Sequence, residues 1–348
     1  MIFYTPGHGI ISDTLIMHGI VRILSANNIF NGKVKRIGER YEVHTVSEPS
    51  KNLTETFNTL YRMIEIFNKS YNQTLIQYSK YLSKINASNI DPSHFKNWID
   101  NLYKSFNEFN ISLYLTPDHK EKNKEGRKGT KNLFTTYLPL SFIYGKYLQE
   151  SYMISEKQYK VCSSCFVLNT LGLIFGTTVI VHIDEKGNKN VILLTLSPSR
   201  EMEIEDILVL QRLLEKKPLW LKNDLPIFAS ILYILSLGET LYALQNDVDV
   251  IVWKIQKTVN FQRANKPISI NVTNLINKIT DIKYNFPEFP RFINDCLINN
   301  DDGILALNDL ALLLLYGGDE YYVLRELSRI LEKNKCNYRL DLLAKSII

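Results

Sequence analysis

Within its first two dozen residues the chain runs from an apolar start, Ile2-Phe3-Tyr4, through Thr5-Pro6-Gly7-His8-Gly9 into an apolar pattern from about Ser12 to Ala26. That order constrains the fold more than any other feature: a strand, a glycine-containing turn and a helix N-terminus make this end mixed α/β. Such a turn aims backbone N–H groups at an anion, so Gly7, His8 and Gly9 are candidates for a phosphate contact. The competing reading is a tight strand-to-helix turn that needs glycine's φ freedom. Leu15, Ile16, Gly19, Ile20, Ile23 and Ala26 share one helical face. His18 and Arg22, four apart at its edge, either extend the anion site or border a core. Ser12 or Asp13 is expected to cap the helix.

The next segments set the architecture. Lys33–Ile37 and Arg40–Val46 read as paired strands around Gly38-Glu39. Helical spacing covers 52–85, and a further helix follows Asp91-Pro92-Ser93 to about Phe109. Ile111–Leu115 alternates like a strand, and Leu133 to Tyr152 reads as helix. Thr177–Asp184 and Asn190–Pro198 form a hairpin. Beyond Ser199 helical patterns dominate: 204–216, 225–245, 271–279, 304–316 and 321–333. The expected class is α+β, with a mixed N-terminal region carrying hairpins and a basic loop, then a mainly helical C-terminal domain. The expected domains are 1–200, with the loop at 117–132, and 201–348.

That loop interrupts the pattern abruptly. From His119 to Asn132 it carries Lys120, Lys122, Lys124, Arg127, Lys128 and Lys131 against Glu121 and Glu125, a net of +4 with no hydrophobic side chain to pack. The expectation is a mobile surface loop. Flexible lysines bind phosphate without reading bases, in a salt-sensitive way. Lys254, Lys257, Arg263 and Lys266 surround Trp253 and Phe261, and basic residues among aromatics suit single-stranded nucleic acid. Either group of charges can instead be a solvated surface. A further basic stripe is Arg325, Arg329, Lys333 and Lys335.

Catalytic motifs are scarce. No GxGxxG follows the first strand, and no P-loop, HExxH or GxSxG occurs. His182 and Asp184 share a strand face, and Asp247 and Asp249 form a DxD expected at a solvated turn; a metal nuclease would need more ligands. Glu201, Glu203, Glu205 and Asp206 suit a helix N-terminus. Cys162 and Cys165 make half of a zinc site; Cys296 and Cys336 stand alone. With four cysteines in 348 residues, a disulfide framework is not expected, and buried thiols are. The N-terminus lacks a basic n-region, and the apolar stretch 304–316 is too short to span a bilayer, so a soluble, cytoplasmic protein without a membrane partner is expected. No cofactor is called for.

The opening FYTPGHGI, the helix end HGIVRIL and the hairpin sequence GERYEV resemble the large subunit of archaeal type I-A CRISPR interference complexes, the Cas-eight-a-two or Csa-four family. The order of parts is also similar. The resemblance implies a non-catalytic, DNA-binding subunit of a surveillance complex. Its partners would be target DNA, the guide-RNA-loaded backbone, Cas-five-type and small subunits, and a helicase-nuclease. It implies help in recognising the target-adjacent motif, separating strands and recruiting the nuclease, work that needs basic surfaces rather than an active site. Two other readings compete: a metal-dependent nuclease built on His182 and Asp184, and a protein-only scaffold.

Overall fold

The computed structural model describes residues 1–49, 55–60, 62, 109–117, 134–136, 159–214, 219–238, 247–257 and 262–348. In chain order these form β1 (Ile2–Tyr4), α1 (Ile10–Ala26), β2 (Gly32–Ile37), β3 (Arg40–Thr45), a 3₁₀ turn (Ile111–Leu115), β4 (Phe134–Thr136), β5 (Tyr159–Val161), α2 (Ser163–Phe175), β6 (Thr178–Ile183), β7 (Lys189–Pro198), β8 (Glu201–Glu203) and α3 (Ile204–Leu214). There follow β9 (Leu219–Leu221), α4 (Ile227–Leu237), β10 (Val248–Lys257), β11 (Gln262–Ala264), β12 (Ile268–Asn271), α5 (Thr273–Asn285), α6 (Phe289–Phe292), a π-helical turn (Ile293–Leu297), α7 (Asp301–Tyr316), α8 (Glu320–Asn334) and α9 (Leu340–Ile347). The architecture is α+β, with the helices concentrated in the C-terminal part.

Two main sheets organise the chain up to Asn271. One is antiparallel, in the order β1-β3-β2-β8. Its register lines up Phe3, Val43, Val34 and Met202 as one row, and all four are buried. Strand alternation puts that row on the core side and Lys33 and Lys35 on the other, where Lys33 meets Glu201 at 2.9 Å. The larger sheet runs β11-β10-β7-β6-β9, with β12 also on β10. Trp253, Leu193 and Val179 form a buried row across it. Strands β10 and β7 pair over ten residues each, and their near-continuous apolar runs fit a sheet covered on both sides.

Helix α1 packs on α2 through two glycines. A methyl on Gly172 would lie 1.9 Å from the Leu15 carbonyl oxygen, and one on Gly19 would lie 2.4 Å from that of Leu168. The backbones touch because neither residue has a side chain. Arg36, on β2, ties the smaller sheet to the larger: its guanidinium donates to Asp249 Oδ2 at 2.6 Å. Asp249 also accepts from Ser199 Oγ and Asn271 Nδ2.

The C-terminal helices bury a cluster of rings, with Phe286 and Phe292 at 5.9 Å and Phe292 and Tyr338 at 5.7 Å between centroids. Beside it Cys296 and Cys336 are joined as a disulfide, linking the π-helical turn to the chain just past α8. This corrects the expectation of thiols throughout; a separation of 40 residues hides the pairing from sequence spacing.

Several local expectations change. The division at 200 falls between strands that share sheets: β8 pairs β2, β9 pairs β6, and β10 pairs β7. The unbroken run of helices begins at Thr273. Ile111–Leu115 is a 3₁₀ turn instead of a strand, because Asn110 caps it by accepting from the Ser112 N–H at 2.9 Å. Phe134–Thr136, read as helix, pairs with β5. Asp249 is inside β10 and not in a solvated turn. The helix expected after Asp91 and most of 52–85 lie outside the described residues.

Candidate nucleic-acid interface

The N-terminal turn is built as its glycines require. Gly7 and Gly9 have φ of +86° and +101°, conformations that L side chains avoid. The Gly7 N–H donates to Asp13 Oδ1 at 2.8 Å, and the His8 N–H also donates to that carboxylate. The turn thus holds an internal anion, Asp13, and has the form of the tight strand-to-helix turn that competes with the phosphate reading. Burial pushes the Asp13 carboxyl up to about 6, and these hydrogen bonds with the charge of Arg40 restrain the rise. His8 is buried beside it.

Arg40 closes the turn from outside. Its guanidinium lies so near Gly7 that a methyl there would come within 2.4 Å of Nη2. Its Nη1 donates to the Pro117 carbonyl at 3.3 Å. Pro117 lies two residues before the basic run that starts at His119, so Arg40 ties the strand-to-helix turn to the root of that segment. Sequence reading missed this residue, because a contact between 40 and 117 leaves no local pattern. Lys120, Lys122, Lys124, Arg127, Lys128 and Lys131 lie outside the described residues.

His18 and Arg22 belong to the core. His18 Nε2 lies 2.8 Å from the Leu196 carbonyl, and its Nδ1 lies 3.2 Å from Gln211 Nε2. Arg22 Nε donates to Gln211 Oε1 at 2.8 Å, and its guanidinium stacks 4.4 Å from the Phe175 ring centroid. Burial pulls the His18 pKa down to about 4, so the imidazole is neutral. The pair joins α1, β7 and α3 and does not extend the turn.

The second basic group begins on β10, which carries positions 254 and 257. Lys254 is largely buried and ion-paired with Asp224, and Trp253 is fully buried, so neither meets a base. The register sets Lys257 opposite Lys189 and Arg263 opposite Gln256 at the same end of the larger sheet. Lys266 is exposed. Arg325, Arg329 and Lys333 lie on α8 among acids, with Arg329 and Lys333 paired to Glu326 and Asp302.

The metal candidates are otherwise occupied. The Asn188 side chain donates to Asp184 Oδ2 at 2.8 Å, and this bond first, then those from the Asn188 and Lys186 N–H groups to Oδ1 at 2.8 and 2.9 Å, hold the carboxyl below the usual range. His182 Nδ1 lies 3.3 Å from the Leu221 carbonyl. Cys162 Sγ accepts from the Cys165 N–H as the α2 cap, and the Tyr114 hydroxyl donates to Cys165 Sγ at 3.2 Å. Burial pushes the Cys165 thiol well above its usual pKa, away from the thiolate that zinc binds. Among the described residues no three His, Cys, Asp or Glu side chains group as metal ligands. No described helix is long and apolar enough to cross a membrane.

The profile of the family described as CRISPR-associated protein (Cas_Csa4) matches residues 1–344, which take in every strand and all the C-terminal helices except the last three residues of α9. The chain belongs to the Csa4 family. CRISPR system associated protein Cas8 of Thermoproteus tenax is 34% identical over 342 residues, covering 92% of this chain and 90% of that relative. The likeness that the sequence showed in its first 45 residues therefore runs through the helical half, and the chain is a Cas8/Csa4-type large CRISPR subunit.

Proposed function

We propose that this Csa4-family chain is a non-catalytic, DNA-binding subunit of an RNA-guided type I-A surveillance complex. In that role it helps recognise the target-adjacent motif, supports strand separation, holds the displaced strand and helps recruit the helicase-nuclease. The guide reads sequence by base pairing, and the protein supplies contacts to a short duplex motif and to backbone. The reading rests first on the family match along residues 1–344. The net +4 segment between His119 and Asn132 gives it a physical means, since lysines there neutralise phosphates. Arg40 supports this role by holding Pro117, two residues before that segment, against the N-terminal turn. For the displaced strand the contacts are Lys257, Arg263 and Lys266; Lys254, committed to Asp224, leaves that set.

The chain would assemble with guide-RNA-loaded backbone, Cas-five-type and small subunits. A mobility-shift assay on duplex, single-stranded and forked DNA, with and without those subunits, tests the proposal. Binding that sharpens with them and weakens with salt supports it. Absence of binding in every assembly favours a scaffold, and metal-dependent cleavage abolished by Asp184→Ala favours a nuclease.

A further inference from the structure

Helices α7 and α8 run antiparallel, joined through Gly317-Gly318, and leave an open groove of about 610 Å³ between their outer faces. Each helix end is fixed locally. Asn300 caps α7 by accepting from the Gly303 N–H at 2.7 Å, and Asp319 caps α8 by accepting from the Tyr322 N–H at 2.9 Å. The inner face of α7 buries Ile304, Leu307, Leu310 and Leu314. Its groove positions 302, 305, 306 and 309 follow the i, i+3, i+4, i+7 rule, and positions 326, 329, 330 and 333 of α8 repeat it, with 322 one turn before them. The walls are about 10 and about 16 Å long at 1.5 Å per residue, room for roughly three turns of a third helix.

Chemistry narrows the occupant. The apolar contacts on offer are Leu305, 60% exposed, and Tyr322, 48% exposed, above a floor of Ala306 and Ile330. Four acids and two bases line the groove, and Arg325 stands at its rim, 5.7 Å from the Tyr322 ring centroid, so a chain of net charge +5 still presents a small local excess of acid here. Arg329 and Arg325 both pair with Glu326, and Lys333 pairs with Asp302. Asp309 and Glu332 form no ion pair among the described residues. Nucleic-acid phosphate is repelled here, whereas a cationic amphipathic segment gains both apolar burial and charge pairing.

The geometry points to the α7–α8 groove as a docking site for a basic amphipathic helix of a partner protein. That helix lays apolar side chains on Leu305 and Tyr322 and sets lysines or arginines beside Asp309 and Glu332, in the helix-in-groove mode. The inference is independent of DNA binding by the chain, which would use other surfaces.

The test uses the intact protein and a display library of helical peptides of about 14 residues, rich in Leu and Ala, with flanking charges randomised. Enriched peptides are measured by fluorescence polarisation against wild type, Asp309→Lys/Glu332→Lys and Leu305→Glu. All three substitutions are at surface positions, and circular dichroism checks that each variant is folded. The expected result is enrichment of Lys- and Arg-flanked amphipathic sequences that bind both variants at least tenfold more weakly. No enrichment, enrichment of acidic peptides, or equal binding to the variants overturns the proposal. A duplex-DNA mobility shift should be unchanged in Asp309→Lys/Glu332→Lys; a lost shift would put nucleic acid in the groove and overturn it as well.

Discussion

Gly172→Ala should be among the most damaging single-methyl changes in this protein. The added carbon would start 1.9 Å from the Leu15 carbonyl oxygen, whereas a carbon–oxygen contact needs about 3.3 Å. Helix α2 must therefore move off α1 by roughly 1.4 Å, since the obstacle is backbone and has no rotamer to change. A gap of 0.5–1 Å already forfeits about a quarter to a half of each dispersion contact, and Leu15, Leu168 and Leu171, all fully buried, sit at or beside this crossing. Overpacking costs roughly 1–3 kcal/mol and sometimes more, and alanine's better helix propensity returns about 1 kcal/mol. With the backbone itself in the way, the cost sits at the upper end and the net loss is put at about 2 kcal/mol, or a fall in Tm of about 4 °C. The control is Gly38→Ala, where φ is +63° and no atom lies within 4 Å of the new methyl; its cost is left-handed strain, about 1 kcal/mol. Thermal and urea unfolding of the two variants decide the matter. A Gly172→Ala protein as stable as Gly38→Ala would refute the close-contact argument.

His18 should stay neutral in the folded protein, its NMR ring signals unmoved from about pH 8 to about pH 5.5 and shifting only near pH 4. Its folded pKa of about 4 lies below the unfolded value near 6.5. Its share of stability, about 3 kcal/mol, is therefore present above pH 6.5 and lost as pH falls through 4. Asp13, raised to about 6, acts in the opposite sense: its contribution is present below about pH 4 and lost as pH rises through 6. Thiol titration of the denatured, unreduced protein should find two reactive cysteines; reduction or Cys296→Ser should lower stability by up to about 4 kcal/mol, as expected for a 40-residue separation. Lys254→Gln should destabilise the fold by breaking the partly buried pair with Asp224, yet leave the salt dependence of DNA binding unchanged. Arg40→Ala should weaken DNA binding severalfold in a salt-jump assay while leaving Tm within a few degrees, because its side chain is exposed and holds the root of the basic segment.

Local periodicity carried much of the fold. The strand–turn–helix opening and both hairpins are where alternation and glycine placed them, because those signals lie within a few residues of one another. Strand β10 was not legible although Val248–Trp253 is rich in β-branched residues, because a strand covered on both sides shows an apolar run without the alternation that marks a half-exposed one. The Cys296–Cys336 bond, the pairing of Arg36 with Asp249 and the reach of Arg40 to Pro117 all join residues 40 to 213 apart in sequence. No spacing rule encodes such pairs. The candidate site was legible as charge and glycine, but not as connection: Asp13 in the first turn of α1 was assigned to capping, while its carboxylate fills the turn that glycines 7 and 9 create.

The most direct measurement is the salt slope of target-DNA binding by the reconstituted guide-loaded complex, comparing wild type with Lys120→Gln/Lys122→Gln/Lys124→Gln/Lys128→Gln. Each lost phosphate contact flattens the log–log slope by about 0.9. If these lysines contact DNA, the variant binds more weakly and its slope is shallower by about 3 to 4. An unchanged affinity and slope would contradict the assignment of this segment to the DNA backbone.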